Sequence, residues 1–374
     1  MLNLVIAEKP SVSKALADVL GAKTRCNGSY EGGGYIISWC VGHLLGLAEP
    51  QAYGKYAKWR YEDLPIIPDK WLYVANNSTE SQLKILCGLM KRSDVDCVIN
   101  ACDAGREGEL IFRLVYEHAK SKKPIKRLWI RSMEESAISE GFSKLKDGSS
   151  YDGLFHSAKC RQQADWLVGM NFSRLFSVLY NAQLRVGRVQ TPTLSIIVER
   201  EEKIARFVKE PFYVVEALCG DLKAECEKVK DKDTAETIAA NCNGKVAEVK
   251  SVKRKEKFET APKLYDLTTL QREANRIFGY TAAQTLSAVQ NLYEQKIITY
   301  PRTDSRFITE DMAEGISALV IDVADVLPFS AGDLNINLVQ VVNNAKITDH
   351  HAIIPTPSMP KSDIASCLPP KEIS

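Results

Sequence analysis

A strand-then-helix unit repeated along the first part of the chain is the feature that most limits its fold. Leu2–Ala7 is a short continuous apolar run, followed by the charged turn Glu8-Lys9-Pro10-Ser11. Val12, Ala15, Leu16, Val19 and Leu20 then recur on one helical face, and Gly21 supplies the stop. The pattern repeats at Val95–Ala101, a buried strand interrupted by Asp96 and Asn100, which runs into Cys102–Glu109. Leu110, Ile111, Leu114, Val115 and His118 mark the helix face that follows. Arg127–Ile130 predicts a third strand, and Ser81–Met90 and Glu134–Leu145 predict two more helices. Strands alternating with helices imply a parallel or mixed sheet with helices on its faces.

Two intervening stretches read differently. Ser29–Val41, with Gly32-Gly33-Gly34 between β-prone residues, predicts a hairpin that continues to Gly42-His43-Leu44. A glycine triplet can cradle phosphate, but no helix start follows this one, so the hairpin is preferred. Gln51–Pro68, rich in Tyr, Trp, Pro and Lys, predicts a long ordered loop.

In such sheets ligands gather beyond the carboxyl ends of the strands. Glu8 stands at one such end, and Asp103 with Glu107 at another. Three carboxylates converging there crowd like charges unless a cation neutralises them, and an oxygen-only donor set suits Mg²⁺. The competing reading is that these acids cap helix N-termini, a common role for Asp and Glu.

Asp147-Gly148-Ser149-Ser150 is the first candidate boundary. Ala158–Tyr180 reads as an amphipathic helix carrying Arg161, Asp165, Trp166 and Arg174. In Arg185–Pro192 donors surround Gly187, and a helix is expected to start near Pro192. Helix N-termini with arginines suit phosphates, so Arg188, Gln190 and Thr191 favour a backbone-binding loop over a plain turn. Pro211–Val252 changes character: Phe212–Leu218 and Lys245–Val249 alternate as strands around a lysine-rich helix.

From Lys263 the chain turns helical again. Leu267, Leu270, Ala274 and Ile277 space one helix with Gly279 as its stop, and Thr281 with Gln284 forms a capping-box pair for a second. A strand holding Tyr300 and a helix from Thr309 complete a pattern like a helix-turn-helix with a wing. Pro301 pushes Tyr300 towards extended geometry, and Arg302 stands close enough in sequence to steady a phosphate. Taken alone, that segment reads better as a strand end entering a turn. In Asp349–Thr356 the adjacent histidines are read as phosphate contacts or proton relays, since neighbours in sequence rarely point to one metal.

Composition narrows the class. A net charge of +2 neither demands nor excludes nucleic acid. No apolar run approaches the roughly 18 residues of a membrane span. Met1-Leu2-Asn3-Leu4 lacks a charged leader region, and the ten cysteines form no Cys-x-x-Cys pair, which predicts a cytoplasmic protein without a zinc site.

Together Ala7–Ser11, Gly42-His43-Leu44, Asp103–Glu109, Gly187–Pro192, Thr299–Ser305 and His350–Thr356 resemble, in order, the type IA DNA topoisomerases, and most closely the topoisomerase III branch. The resemblance implies an α/β chain with added α and β segments. These are a Rossmann-like Toprim domain (1–148), the first part of a helical base domain (149–210), a β-rich arch connector (211–262) and a winged-helix-like domain (263–374) carrying the tyrosine. It implies Tyr300 as the nucleophile that keeps a 5′ phosphate, Lys9 and Arg302 as charge stabilisers, Glu8 in proton transfer, and His350 beside the scissile phosphate. Glu8, Asp103 and Glu107 would hold Mg²⁺. Arg188, Gln190, Thr191, Arg161, His43, Arg106, Asp304 and His351 would contact DNA, with Asp304 orienting Arg302.

The expected partner is single-stranded or underwound DNA near the nucleoid, with a helicase or single-strand-binding protein as candidate associates and no ATP, since no Walker motif is present. Two departures stand out. The family's acidic triad usually reads Asp-x-Asp-x-Glu, whereas Gly105 occupies the middle position here, which predicts a higher Mg²⁺ requirement. The chain also ends at Ser374, after Leu368-Pro369-Pro370, which predicts an incomplete toroid and impaired strand passage. The alternatives are a Toprim nuclease or primase with no covalent step, and an inactive single-strand-binding remnant.

Overall fold

The computed structural model describes residues 2–54, 56–130, 133, 135–326, 337–347 and 350–360. Glu134, Asp349 and Leu368-Pro369-Pro370, used above, lie outside them. The chain forms two compact units, residues 1–185 with 262–374, and residues 186–261.

The first unit opens with β1 (Leu2–Ala7) and α1 (Pro10–Leu20), whose proline sits in the first turn and whose end is Gly21 in the left-handed conformation. β2 (Thr24–Cys26) and β3 (Ser29–Gly32) pair antiparallel, as do β3 and β4 (Tyr35–Trp39), and β4 returns parallel to β1. The glycine triplet is the β3–β4 turn, and it packs on the end of α1. A Cβ at Gly33 would lie 2.2 Å from the Leu20 carbonyl oxygen, so this is a packing glycine, in keeping with the hairpin reading.

β5 (Leu45–Leu47) and β6 (Tyr73–Ala75) form a separate pair, and the expected loop between them carries two short 3₁₀ turns. α2 (Glu80–Lys91), β7 (Val95–Ala101), α3 (Arg106–Ala119), β8 (Ile125–Arg127), α4 (Glu135–Ser143), β9 (Lys146–Asp147) and the long α5 (Asp152–Tyr180) follow. The sheet order is β2-β3-β4-β1-β7-β8-β9.

Both faces of this sheet are covered. Leu4 and Ile6 of β1 enter one core with residues of α2, α3 and α5, while Val5 and Ala7 enter the other with residues of α1 and α4. The period-two alternation of strand side chains therefore buries apolar groups in both directions, which is why β1 reads as a continuous apolar run. The third strand sits earlier than its sequence suggested, at Ile125–Arg127 and not Arg127–Ile130, because β7 offers it only Val98–Asn100. Leu128 and Ile130 remain apolar because they pack with the α1–α4 core.

The second unit carries α6 (Gln190–Ala205), the hairpin of β10 (Glu216–Cys219) and β11 (Leu222–Glu225), and α7 (Lys232–Cys242). Lys245–Val249, expected as a strand, has no regular structure, and Val246 is 99% exposed. An alternating pattern becomes a strand only beside a partner, and none pairs with it among the described residues.

The first unit resumes with α8 (Leu267–Phe278) and α9 (Ala282–Glu294), whose capping box between Thr281 and Gln284 forms as expected. α10 (Ala313–Val326) and the short α11 (Leu338–Val341) close the described part. Tyr300 does not lie in a strand. Its segment is tied down by isolated bridges, Ile298 to Pro355 and, nearby, Tyr265 to Ile353. Among the described residues no helix is long and apolar enough to cross a membrane.

Candidate active site

Register builds one side of the site. β1 and β7 are parallel, with Ala7 opposite Ala101, so the residues that follow each strand emerge together at the carboxyl edge. There the ammonium of Lys9 lies 3.7 Å from Glu8 Oε1 and 3.5 Å from Asp103 Oδ2. The backbone N–H of Asp103 donates to the Glu8 carboxylate. Burial, and then the negative charge of Asp103, hold the Glu8 carboxyl above its ordinary value despite Lys9. Burial acts against the charge on Lys9, but Asp103, Glu8 and Tyr300 together outweigh it, so this lysine holds its proton more firmly than usual.

Hydrogen bonds to the His350–Thr356 segment build the other side. Thr299 N–H donates to the Ile354 carbonyl at 2.9 Å and Thr356 N–H to the Ile297 carbonyl at 2.9 Å. Thr299 Oγ1 donates to Ala352 O and accepts from Ile354 N–H, at 2.9 and 3.0 Å. Thr303 Oγ1 donates to the His350 carbonyl at 3.1 Å. This clip sets the rings of Tyr300 and His350 4.3 Å apart, centroid to centroid, while Tyr293 meets Tyr300 edge-on at 5.2 Å.

The two sides meet at Lys9, whose ammonium donates to Tyr300 Oη at 3.4 Å and sits 4.4 Å from its ring centre. His350 Nε2 is 3.9 Å from Asp103 Oδ2. A cavity of about 480 Å³ adjoins the phenol, with Val12, Ala15, Leu128, Ile298 and His351 in its wall.

Tyr300, Lys9, Glu8, Asp103 and His350 are thus gathered from segments far apart in sequence. Glu107 is not among them. It is half exposed, pairs with Arg161 Nη1 at 3.0 Å and faces His43 Nε2 at 3.6 Å. The expected three-carboxylate convergence is therefore corrected to a pair: one helical turn past Asp103, Glu107 takes two cationic side chains of its own. His351, expected to contact DNA, is 7% exposed, with Nδ1 2.9 Å from the Ala352 carbonyl and its side chain in the wall of the cavity. Arg106, Arg302 and Asp304 are exposed. In the second unit Arg188, Gln190 and Thr191 are exposed as well. Thr191 Oγ1 accepts from Gly187 N–H at 3.0 Å, and Gln190 packs over Gly187.

Sequence reasoning missed the buried supports. Thr299 was read only as the first residue of the Thr299–Ser305 motif, Asn100 only as a polar interruption of a strand, and Arg127 only as the start of the third strand. The signal for the last two was a charge and an amide inside apolar runs, which fold in only when paired.

The donor set suits a divalent cation. Glu8 and Asp103 offer carboxylate oxygens at one strand edge, a positive group already bridges them, and Mg²⁺ commonly uses one or two carboxylates, completing its shell with water and substrate phosphate. Among the described residues no cluster of three or more acidic, His or Cys side chains forms a closed cage.

Residues 3–133 match the model of the Toprim domain, and residues 149–368 match a family model described as DNA topoisomerase. The chain is 44% identical over 385 residues to DNA topoisomerase 3 of Shouchella clausii, covering 98% of this chain and 52% of that protein. Similarity to DNA topoisomerase 3 of Bacillus subtilis is also 44%, over 95% of this chain and 51% of the relative. The chain therefore spans about half the length of these curated relatives. Among solved structures, full-length topoisomerase I from Thermotoga maritima superposes with a TM-score of 0.61 at 23% identity, covering 94% of this chain and 55% of that one, a likeness of fold.

Proposed function

The chain belongs to the type IA DNA topoisomerase family, on its topoisomerase III branch, and from that premise we propose that it cuts and reseals one strand of DNA through Tyr300. The observation that carries the reading is the Lys9 ammonium, 3.4 Å from the phenol oxygen and bound to both carboxylates. A phenol is a weak nucleophile near neutral pH and needs its developing charge met.

In the cleavage step Tyr300 Oη bonds to phosphorus and the bond from phosphorus to the 3′ oxygen breaks, leaving a 5′ phosphotyrosine ester. His350, packed on the tyrosine ring and 3.9 Å from Asp103, takes the phenolic proton. Glu8, which burial and Asp103 bias towards its protonated form, delivers a proton to the departing 3′ oxygen. Lys9 stays charged and faces the phosphoryl oxygens, with Arg302 approaching from the exposed side. Glu8 and Asp103 would hold Mg²⁺, which when bound neutralises phosphate charge at the strand edge. The ester conserves the phosphodiester bond energy, so resealing reverses the same steps without ATP.

Exposed Arg188, Gln190 and Thr191 grip the single strand, giving salt-dependent affinity. The four regions bounded at 148, 210 and 262 serve as Toprim, base, arch and tyrosine-bearing parts. Relaxation of underwound DNA and decatenation are the activities of the complete assembly, near the nucleoid and alongside a helicase or single-strand-binding protein.

The test is to mix the full chain with an end-labelled single-stranded oligonucleotide and Mg²⁺, then quench with denaturant. The wild type leaves a covalent adduct, and Tyr300→Phe, with an unchanged unfolding midpoint, leaves none. An adduct that survives the substitution sinks the mechanism.

A further inference from the structure

β8 runs parallel to β7 with Arg127 opposite Asn100, and this register delivers a fully buried guanidinium beneath the carboxyl end of β7. Its Nη1 donates to the carbonyls of Asn100, Cys102 and Leu128 at 3.1, 2.7 and 2.6 Å. Its Nη2 donates to the carbonyl of Asp103 at 2.7 Å. Glu109, also fully buried, balances the charge with Oε2 3.1 Å from Nε. Glu109 is fixed in turn by Asn100 Nδ2 at 2.8 Å and Arg113 Nε at 2.9 Å. Trp129 and Tyr151 stack on each other, 4.9 Å apart, over the guanidinium.

A buried ion pair is a poor device for stability, because apolar side chains of similar volume often do as well or better. Its geometry here points elsewhere. Beyond Ala101 the chain leaves the sheet ladder, and its carbonyls need other donors. The rigid fork of one arginine supplies them. Both backbone groups of Asp103 are then held, its carbonyl by Arg127 Nη2 and by Gly105 N–H at 2.8 Å, and its N–H by the Glu8 carboxylate. Gly108 lets α3 close over it, since a Cβ there would lie 2.2 Å from the Asp103 carbonyl oxygen.

We infer that Arg127, locked by Glu109 and Asn100, is a positioning residue that fixes the Asp103 peptide and so sets the spacing of the Glu8 and Asp103 carboxylates for a divalent cation. This rests on the proposed reading that those two carboxylates take the cation. Lysine cannot replace it, because one ammonium cannot present two parallel donors to four carbonyls.

The test measures free Mn²⁺ by electron paramagnetic resonance during titration of the full chain, with thermal unfolding and adduct formation read in parallel. The variants are Arg127→Lys and the charge-neutral double variant Arg127→Met with Glu109→Gln. The expected result is folded protein with Mn²⁺ affinity lowered about 10- to 100-fold, the range for residues that orient metal ligands. Wild-type Mn²⁺ affinity in either folded variant overturns the inference, as does a wild type that binds no Mn²⁺. Unfolding of both variants also overturns it, leaving Arg127 a purely structural role. A wild type that binds Mn²⁺ but forms no adduct defeats the cleavage reading and leaves the positioning role intact.

Discussion

Glu8 and Asp103 leave strands that pair in unbroken register from Asn3 to Ala7, whereas Tyr300 leaves a segment held by isolated bridges and side-chain hydrogen bonds. The first side is fixed by a sheet buried on both faces, and a shift there would turn every side chain to the wrong core. The second depends on a few hydroxyls, of which Thr299 and Thr303 carry most. A catalytic tyrosine can therefore sit on a lightly built clip, provided that the groups receiving it stand on a rigid edge.

The sharpest way to break this comparison is at the meeting point. Lys9→Met removes the charge nearest the phenol and should slow adduct formation about 100-fold or more. It should at the same time tighten Mn²⁺ or Mg²⁺ binding, because the ammonium no longer competes for Glu8 and Asp103. Rapid-quench kinetics with a parallel metal titration reads both, and weaker metal binding would overturn the assignment of the carboxylate pair.

Next in size is the clip. Thr299→Val strips both bonds of Oγ1 and leaves Ile354 N–H without its acceptor, while Ala352 O keeps its contact with His351 Nδ1, a cost of about 1–3 kcal/mol. Chemical denaturation should show it, and adduct formation should fall while cation affinity stays unchanged. Equal losses in both would mean that the two sides are one cooperative structure.

A smaller effect tests the sheet edge. Gly105 has φ −166°, extended backbone open to any residue, but the position is buried, so Gly105→Asp should cost about 1 kcal/mol of stability. It should lower the Mg²⁺ needed for half-maximal adduct formation, and an identical requirement would remove Gly105 as the cause of any weak binding.

The smallest concerns pH. Because the folded state raises the Glu8 carboxyl above its ordinary value of 4.5, the protonated form favours folding. That contribution is complete below the ordinary value and is lost as pH rises through the elevated one. Glu8→Gln should therefore raise the unfolding midpoint slightly at neutral pH and flatten its change above pH 4.5. A midpoint lowered at neutral pH would argue that Lys9, not burial, governs this carboxylate.

Much of the fold was legible wherever local pattern and tertiary environment agree. The apolar runs of β1 and β7, the helix face of α1 and the Thr281–Gln284 cap are all where periodicity puts them. Lys245–Val249 failed because alternation specifies a strand only when a neighbouring strand exists. Tyr300 failed as a strand for a related reason, since its backbone bonds to the His350–Thr356 segment at separate points and not along a ladder. Glu107 was placed with the wrong partners because helical spacing gives direction but not which cation waits there.

By itself the sequence determined the strand–helix alternation, the edge at which Glu8 and Asp103 emerge, and the order of motifs that marks the family. Those depend on the periodicity of apolar burial and on residue types, both local properties of the chain. Only the tertiary structure decided that Lys9 joins the two carboxylates to Tyr300, that Glu107 turns to Arg161 and His43, and that a buried Arg127 holds the Asp103 peptide. Such pairings follow from distances between segments remote in sequence, where the cost of burying a charge selects whichever partner the fold brings within reach.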